Sequence, residues 1–267
     1  MARAVAVCGL VLLALAPGVA AHDTWLLPTR FAVEAGGSCR LEMTSGMAFP
    51  ALDSAIRPDR VTRAALRLNG SIAAIRDLHP GRRALELSAR PLGEGVAALW
   101  VELAPKALEL SEAQVEEYLQ EIGMAGTIGP KWRNLPSPKR WRETYRKHAK
   151  TFVRVGAAKG DASWSEPVGM ALELVPEADP TSLAAGAILP IRLLRNGEPL
   201  AGLAVAVDRG GPNCRTFQTT DAEGRARLTL DLAGKWLLTA TDLRQSASGS
   251  GWESDFTTLT LEVGPGR

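Results

Sequence analysis

Histidine is scarce in this chain. The 267 residues contain three, at positions 22, 79 and 148. They form no HExxH-like ligand spacing, so any metal site has to be assembled by the fold. Cysteine is equally sparse, with three residues and no CxxC pair. There is no GxSxG elbow and no glycine-rich phosphate loop ahead of a helix, and the acidic residues are dispersed. The chain is therefore read as not an enzyme. A net charge of +2 argues against nucleic acid as a partner. Beyond the N-terminus no apolar run reaches the roughly 20 residues needed to cross a bilayer, so the mature form is expected to have no transmembrane helix.

What is present begins with an export signal. Arg3 supplies a positive start, Ala4 to Ala16 an apolar stretch, and Val19-Ala20-Ala21 the small residues a signal peptidase requires. Residues 1–21 are read as a signal peptide and the mature protein as periplasmic, beginning at His22. Cleavage leaves Cys39 and Cys214. An oxidising compartment would permit them to pair, and two separate buried thiols are the other reading.

The rest reads as strands. Arg30–Val33 and Cys39–Met43 flank Glu34-Ala35-Gly36-Gly37 like a hairpin. Val61–Leu68 and Ile72–Asp77 flank Asn69-Gly70, the strongest short hairpin signal. Ala84–Leu87 and Ala97–Leu103 continue the series. Two helices are expected within this half. One follows Ser111, whose Gln114 three residues on makes a capping box, and stops at Gly123. The other runs from about Pro138 to Lys150, with Trp141, Tyr145, His148 and Phe152 at helical spacing and Arg140, Arg142, Arg146 and Lys147 opposite. A glycine- and proline-rich connector, Gly126 to Pro138, separates them.

The C-terminal part offers seven candidate strands: Val168–Val175, Ala187–Arg195, Leu203–Arg209, Arg215–Thr219, Arg225–Leu230, Gly234–Asp242 and Asp255–Val263. That density fits an immunoglobulin-like sandwich. The expected fold is mainly β, with two β-sandwich-like domains. The N-terminal one (22–165) carries the two inserted helices, and the C-terminal one (166–267) is immunoglobulin-like.

His22 is the most informative residue. As the first residue of a mature chain, its α-amine and ring Nδ1 form a chelate for a transition metal such as nickel, copper or zinc. Asp23 could add a carboxylate or orient the ring, or simply make a strand-edge contact. His148, on the apolar stripe of the second expected helix, is a ligand candidate or a buried structural histidine. His79, before Pro80-Gly81, reads as an exposed turn residue. Trp25 could wall a site or pack in the core.

Ala21-His22-Asp23-Thr24-Trp25-Leu26-Leu27-Pro28 resembles the mature start of the NikM-like family, exported proteins associated with nickel and cobalt uptake transporters. His148-Ala149-Lys150-Thr151-Phe152-Val153-Arg154-Val155-Gly156 resembles that family's "HAKTxVRVG" strand. Gly234–Leu238 and Trp252–Val263 resemble its closing strands. The resemblance implies a periplasmic binding protein for a divalent transition metal, nickel or cobalt, presenting it to an inner-membrane metal transporter. His22 would be a ligand, with His148 and a carboxylate such as Asp23 or Asp242 completing the shell. Two other readings stand beside it. One is a copper histidine-brace enzyme using His22 and His148. The other is a metal-free adhesive or scaffold module.

Overall fold

The computed structural model describes residues 22–157, 160, 162–211, 215–247, 249 and 251–266. The expected signal peptide and Cys214, with it the expected pairing to Cys39, lie outside the described residues. Cys39 is a free, buried thiol whose pKa burial pushes up to about 11.

The chain is mostly β, and a ten-stranded sheet organises it. At its centre Trp141–Val155 and Trp252–Val263 pair in parallel, from Glu143 opposite Trp252 to Thr151 opposite Thr260. Outward from this seam the N-terminal half runs Gly95–Leu103, Val61–Leu68, Ser71–Ala74. The C-terminal half runs Gly234–Gln245, Ala204–Asp208, Thr216–Thr219. The pairing within each of these runs is antiparallel. The two halves thus repeat one order in mirror sequence.

Each half is closed by a smaller sheet. Asp23–Pro28, Cys39–Gly46, Leu85–Ala89 and Asp77–Pro80 form the main path of a five-stranded sheet that covers Leu66, Leu99, Val101 and Val153. Leu172–Pro176, Ala187–Arg195, Glu198–Pro199 and Arg225–Leu230 form a four-stranded sheet that covers Leu238, Leu259 and Leu261. Side chains alternate between the faces of a strand. Ala149 and Val153 therefore face the five-stranded sheet, whereas Lys150 reaches Glu173 in the four-stranded one. The small sheets lie on opposite faces of the large one, each making an immunoglobulin-like sandwich with half of it. The large sheet is continuous across the 165/166 boundary expected from the sequence.

The Asn69-Gly70 hairpin forms as expected. Both residues take positive φ (50° and 74°), as a two-residue type I′ turn demands. The seven C-terminal strands also fall where the pattern put them. The helix after Ser111 spans Glu112–Glu121, and the Gln114 side chain accepts from both the Ser111 amide (2.9 Å) and hydroxyl (2.8 Å).

Two expectations fail. Residues 138–150 are not a helix: Trp141 opens a strand that runs to Val155. The second helix is the short Gly129–Arg133, inside the expected connector. The apparent helical stripe is an accident of spacing, because Trp141 and Tyr145 point to one face of the strand, and His148 and Phe152 to the other. Pairing on both sides supplies hydrogen bonds that outweigh the helix propensity of Arg, Lys and Glu. Nor do Arg30–Val33 and Cys39–Met43 form a hairpin. Ala32–Val33 pairs in parallel with Arg154 and Val155, while Cys39–Gly46 pairs with Asp23–Pro28 and Leu85–Ala89. Gly36 and Gly37 carry the chain between sheets instead of turning it back.

Two buried polar ties connect the sandwiches. Lys150 and Glu173, each 1% exposed, meet at 2.7 Å. Glu173 also accepts from the amides of Val168 and Gly169. Burial opposes its charge, but Lys150 and those amides hold it below the usual carboxylate range. Arg67 donates to the carbonyls of Pro167 (2.9 Å), Ser163 (2.5 Å) and Glu166, pinning the connecting segment.

Candidate functional site

The first strand lies across the seam. Thr258 Oγ1 donates to the Thr24 carbonyl (2.7 Å) and Thr260 Oγ1 to the Leu26 carbonyl (2.6 Å). On its other side, Asp23–Pro28 pairs with Leu41–Gly46. The strand is therefore fixed up to its first residue, and His22 stands exposed at its end. Lys147 donates to the His22 carbonyl and lies 5.5 Å from the ring centroids of Tyr145 and Phe256. Burial lowers the Lys147 pKa to about 8; nearby Arg60 and Lys106 add to this, and Asp23 opposes it. His22, Asp23, Thr24, Lys147, Thr239 and Phe256 border a cavity of about 10 Å³, room for roughly one water.

Asp23 is engaged. Its carboxylate is paired with Arg215, which also reaches Asp208 at 3.5 Å. Burial disfavours the Arg215 charge, but the two carboxylates overcome it and raise its pKa. Asp242 is held by Arg195 (3.3 Å) and Arg244 (3.1 Å).

His148 borders the small cavity from the strand beneath, but its ring lies on the opposite face from Lys147. It is 3% exposed, between Glu102 (Nδ1 to Oε2, 3.8 Å) and Asp255 (Nε2 to Oδ1, 3.5 Å), and neither nitrogen has a hydrogen-bond partner. Asp255 further meets Arg146 and Arg244, each at 2.9 Å. Burial opposes its ionisation, but His148 and the two arginines keep its pKa below the ordinary range. Expected as a helix-face residue, His148 is thus one member of a buried row of charges between the halves. His79 lies in the strand Asp77–Pro80 rather than a turn, exposed, with Nε2 2.6 Å from Asp77.

The fold therefore brings His22 and Asp23 together and turns the His148 ring away from them. Among the described residues no group of three or more His, Cys, Asp or Glu side chains is arranged to hold a metal ion. Sequence reasoning missed Lys147 as a site residue because the assigned helix put it on a solvated face. Strand alternation through Val153-Arg154-Val155, extended backwards, would have turned it inward.

The model of a family described as a domain of unknown function, DUF4198, matches residues 19–242. The chain belongs to this family. The DUF4198 match covers the whole first sandwich, the connecting segment and most of the second. No curated protein matches the chain. Solved structures with some likeness include the adhesin InvE of Yersinia pseudotuberculosis, with TM-score 0.23, 10% identity, and coverage of 88% of this chain and 58% of that one. Another is Escherichia coli alpha-2-macroglobulin activated by porcine elastase, with TM-score 0.23, 8% identity, 92% of this chain and 20% of that one. A third is the ICAM-5 D1–D4 ectodomain fragment, with TM-score 0.23, 15% identity, 91% of this chain and 51% of that one. The chain spans less than two thirds of each, and likenesses this low carry no argument about function. No helix among the described residues is long and apolar enough to cross a membrane.

Proposed function

We propose that this DUF4198 member is a periplasmic, non-catalytic binding protein for a divalent transition metal, nickel or cobalt, captured at His22 and presented to an inner-membrane transporter. The observation that carries the reading is the placement of His22. Its backbone is held by Lys147 and by the strand that starts at Asp23, while the residue itself stays exposed. Export processing before His22 would leave amine and imidazole side by side on a rigid support, and such an end chelates a borderline metal. The resemblance of residues 21–28 and 148–156 to the NikM-like family supports the same assignment.

The surroundings limit the shell to two donors from His22. Asp23, Asp242 and His148 are engaged elsewhere, and the cations Lys147 and Arg215 discourage a bare metal from settling deeper. A half-open shell suits cargo that must be handed on. A copper histidine brace gains no support, since it needs a second imidazole beside His22 and the His148 ring faces away. Calorimetry with nickel on the mature chain and on a chain with one extra residue before His22 tests the proposal. Tight binding by the mature form alone is expected, and equal affinity for both forms overturns it.

A further inference from the structure

A larger cavity, about 440 Å³, shares Thr24 and Lys147 with the small one and opens beneath the first strand. Its size is that of a small-molecule cleft. Four cations border it, Arg57, Arg60, Lys106 and Lys147, together with the hydroxyl-bearing Thr24, Ser45 and Tyr145, and no carboxylate does. We propose that this cavity binds a small organic anion bearing carboxylate or phosphate groups.

The charge balance is the first argument. Arg57 is paired with Asp59 outside the cavity. Among the described residues no carboxylate lies in ion-pair range of Arg60, Lys106 or Lys147. Arg60 donates from Nη2 to the Ala104 carbonyl (2.7 Å), yet its Nε is buried without a hydrogen-bond partner. Like charges gathered in a partly desolvated space, one with an orphaned donor, cost free energy that an anion among them offsets.

The second argument is geometry. A guanidinium fork matches the paired oxygens of a carboxylate or phosphate, and lysines add point charges on either side. The Thr24 and Ser45 hydroxyls, bonded to each other at 2.6 Å, with Ser45 Oγ also donating to the Asp23 carbonyl (3.2 Å), give the cavity a polar edge beside the cations. Ile56, Leu103 and Pro105 form an apolar wall against which a carbon skeleton packs. That wall favours an organic anion over a bare inorganic one. This site adjoins the His22 end through Thr24 and Lys147 but needs no metal.

The test is isothermal titration calorimetry of metal-stripped mature protein at low ionic strength against citrate and, separately, glycerol 3-phosphate. Binding of at least one is expected, and the arm that binds says whether carboxylate or phosphate is recognised. Lys106→Ala, an exposed change with no ion pair to lose, should weaken binding about tenfold, and Arg60→Ala at least as much. Lys131→Ala, at an exposed cation away from the cavity, should leave it unchanged. The proposal is overturned if neither anion binds at millimolar concentration. It is equally overturned if Lys106→Ala binds as the parent does, or if Lys131→Ala weakens binding as much as Lys106→Ala.

Discussion

The two sandwiches share a strand order but not a final connection. In the C-terminal one, residues 246–251 link the last two strands of the large sheet directly. In the N-terminal one, residues 104–140 intervene, with the edge strand Lys106–Leu110, the helix Glu112–Glu121 and the short helix Gly129–Arg133. The first strands differ too. Leu172–Pro176 is wholly buried, whereas Asp23–Pro28 is preceded by exposed His22. The frame is the same twice, and the departures all gather on the N-terminal half beside the seam. Both candidate sites lie there. A repeated scaffold supplies rigidity, and both proposed sites lie beside the half that departs from it.

If the seam makes the halves one cooperative body, the buried tie across it should matter most. Lys150→Met strands the Glu173 carboxylate and should lower stability by about 4 kcal/mol in urea unfolding. The same pair gives the protein an acid limit. The lowered pKa of Glu173, with that of Asp255, adds stability that is complete above about pH 5 and lost as pH falls through the depressed values. Thermal melts should therefore drop on acidification, and less so in Lys150→Met.

Much of this frame was legible in the sequence. Asn69-Gly70, the Ser111–Gln114 box and the seven C-terminal strands announce themselves through turn and cap chemistry, which is local. What stayed hidden depended on partners distant in sequence. Glu143, His148 and Lys150 break the apolar alternation of Trp141–Val155 because each is buried against a charged or polar partner from elsewhere. Glu143 meets Tyr118, Trp141 and Ser254, and Lys150 meets Glu173. A strand whose buried positions are ionic carries no period-2 signal. The same misreading displaced the site, since it put Lys147 in solvent. The basic cavity was illegible for a similar reason, because its cations come from positions 57, 60, 106 and 147.

Matched core truncations sharpen the comparison. Leu41→Ala under the five-stranded sheet and Leu228→Ala under the four-stranded one should each cost about 3 kcal/mol. Both should shift a single unfolding transition, read by circular dichroism and tryptophan fluorescence together. Two separable transitions, each answering to one substitution, would show that the halves unfold alone. The smallest effect belongs to the insertion. Ser111→Ala removes the cap of a helix found in one half only, and should cost about 1 kcal/mol.

The parallel seam has one more consequence. A sandwich of this type finishes on a strand with an open flank, a row of amide and carbonyl groups able to template another chain. Here the two flanks occupy each other. The main run of the large sheet then ends at Ser71–Ala74 and Thr216–Thr219, four residues each and exposed throughout, with the short Lys106–Leu110 and Ala32–Val33 edging Trp141–Val155 between them. Strands so short offer a poor foothold for a second molecule, so self-association along the sheet is discouraged by the way the last strands of the two halves meet.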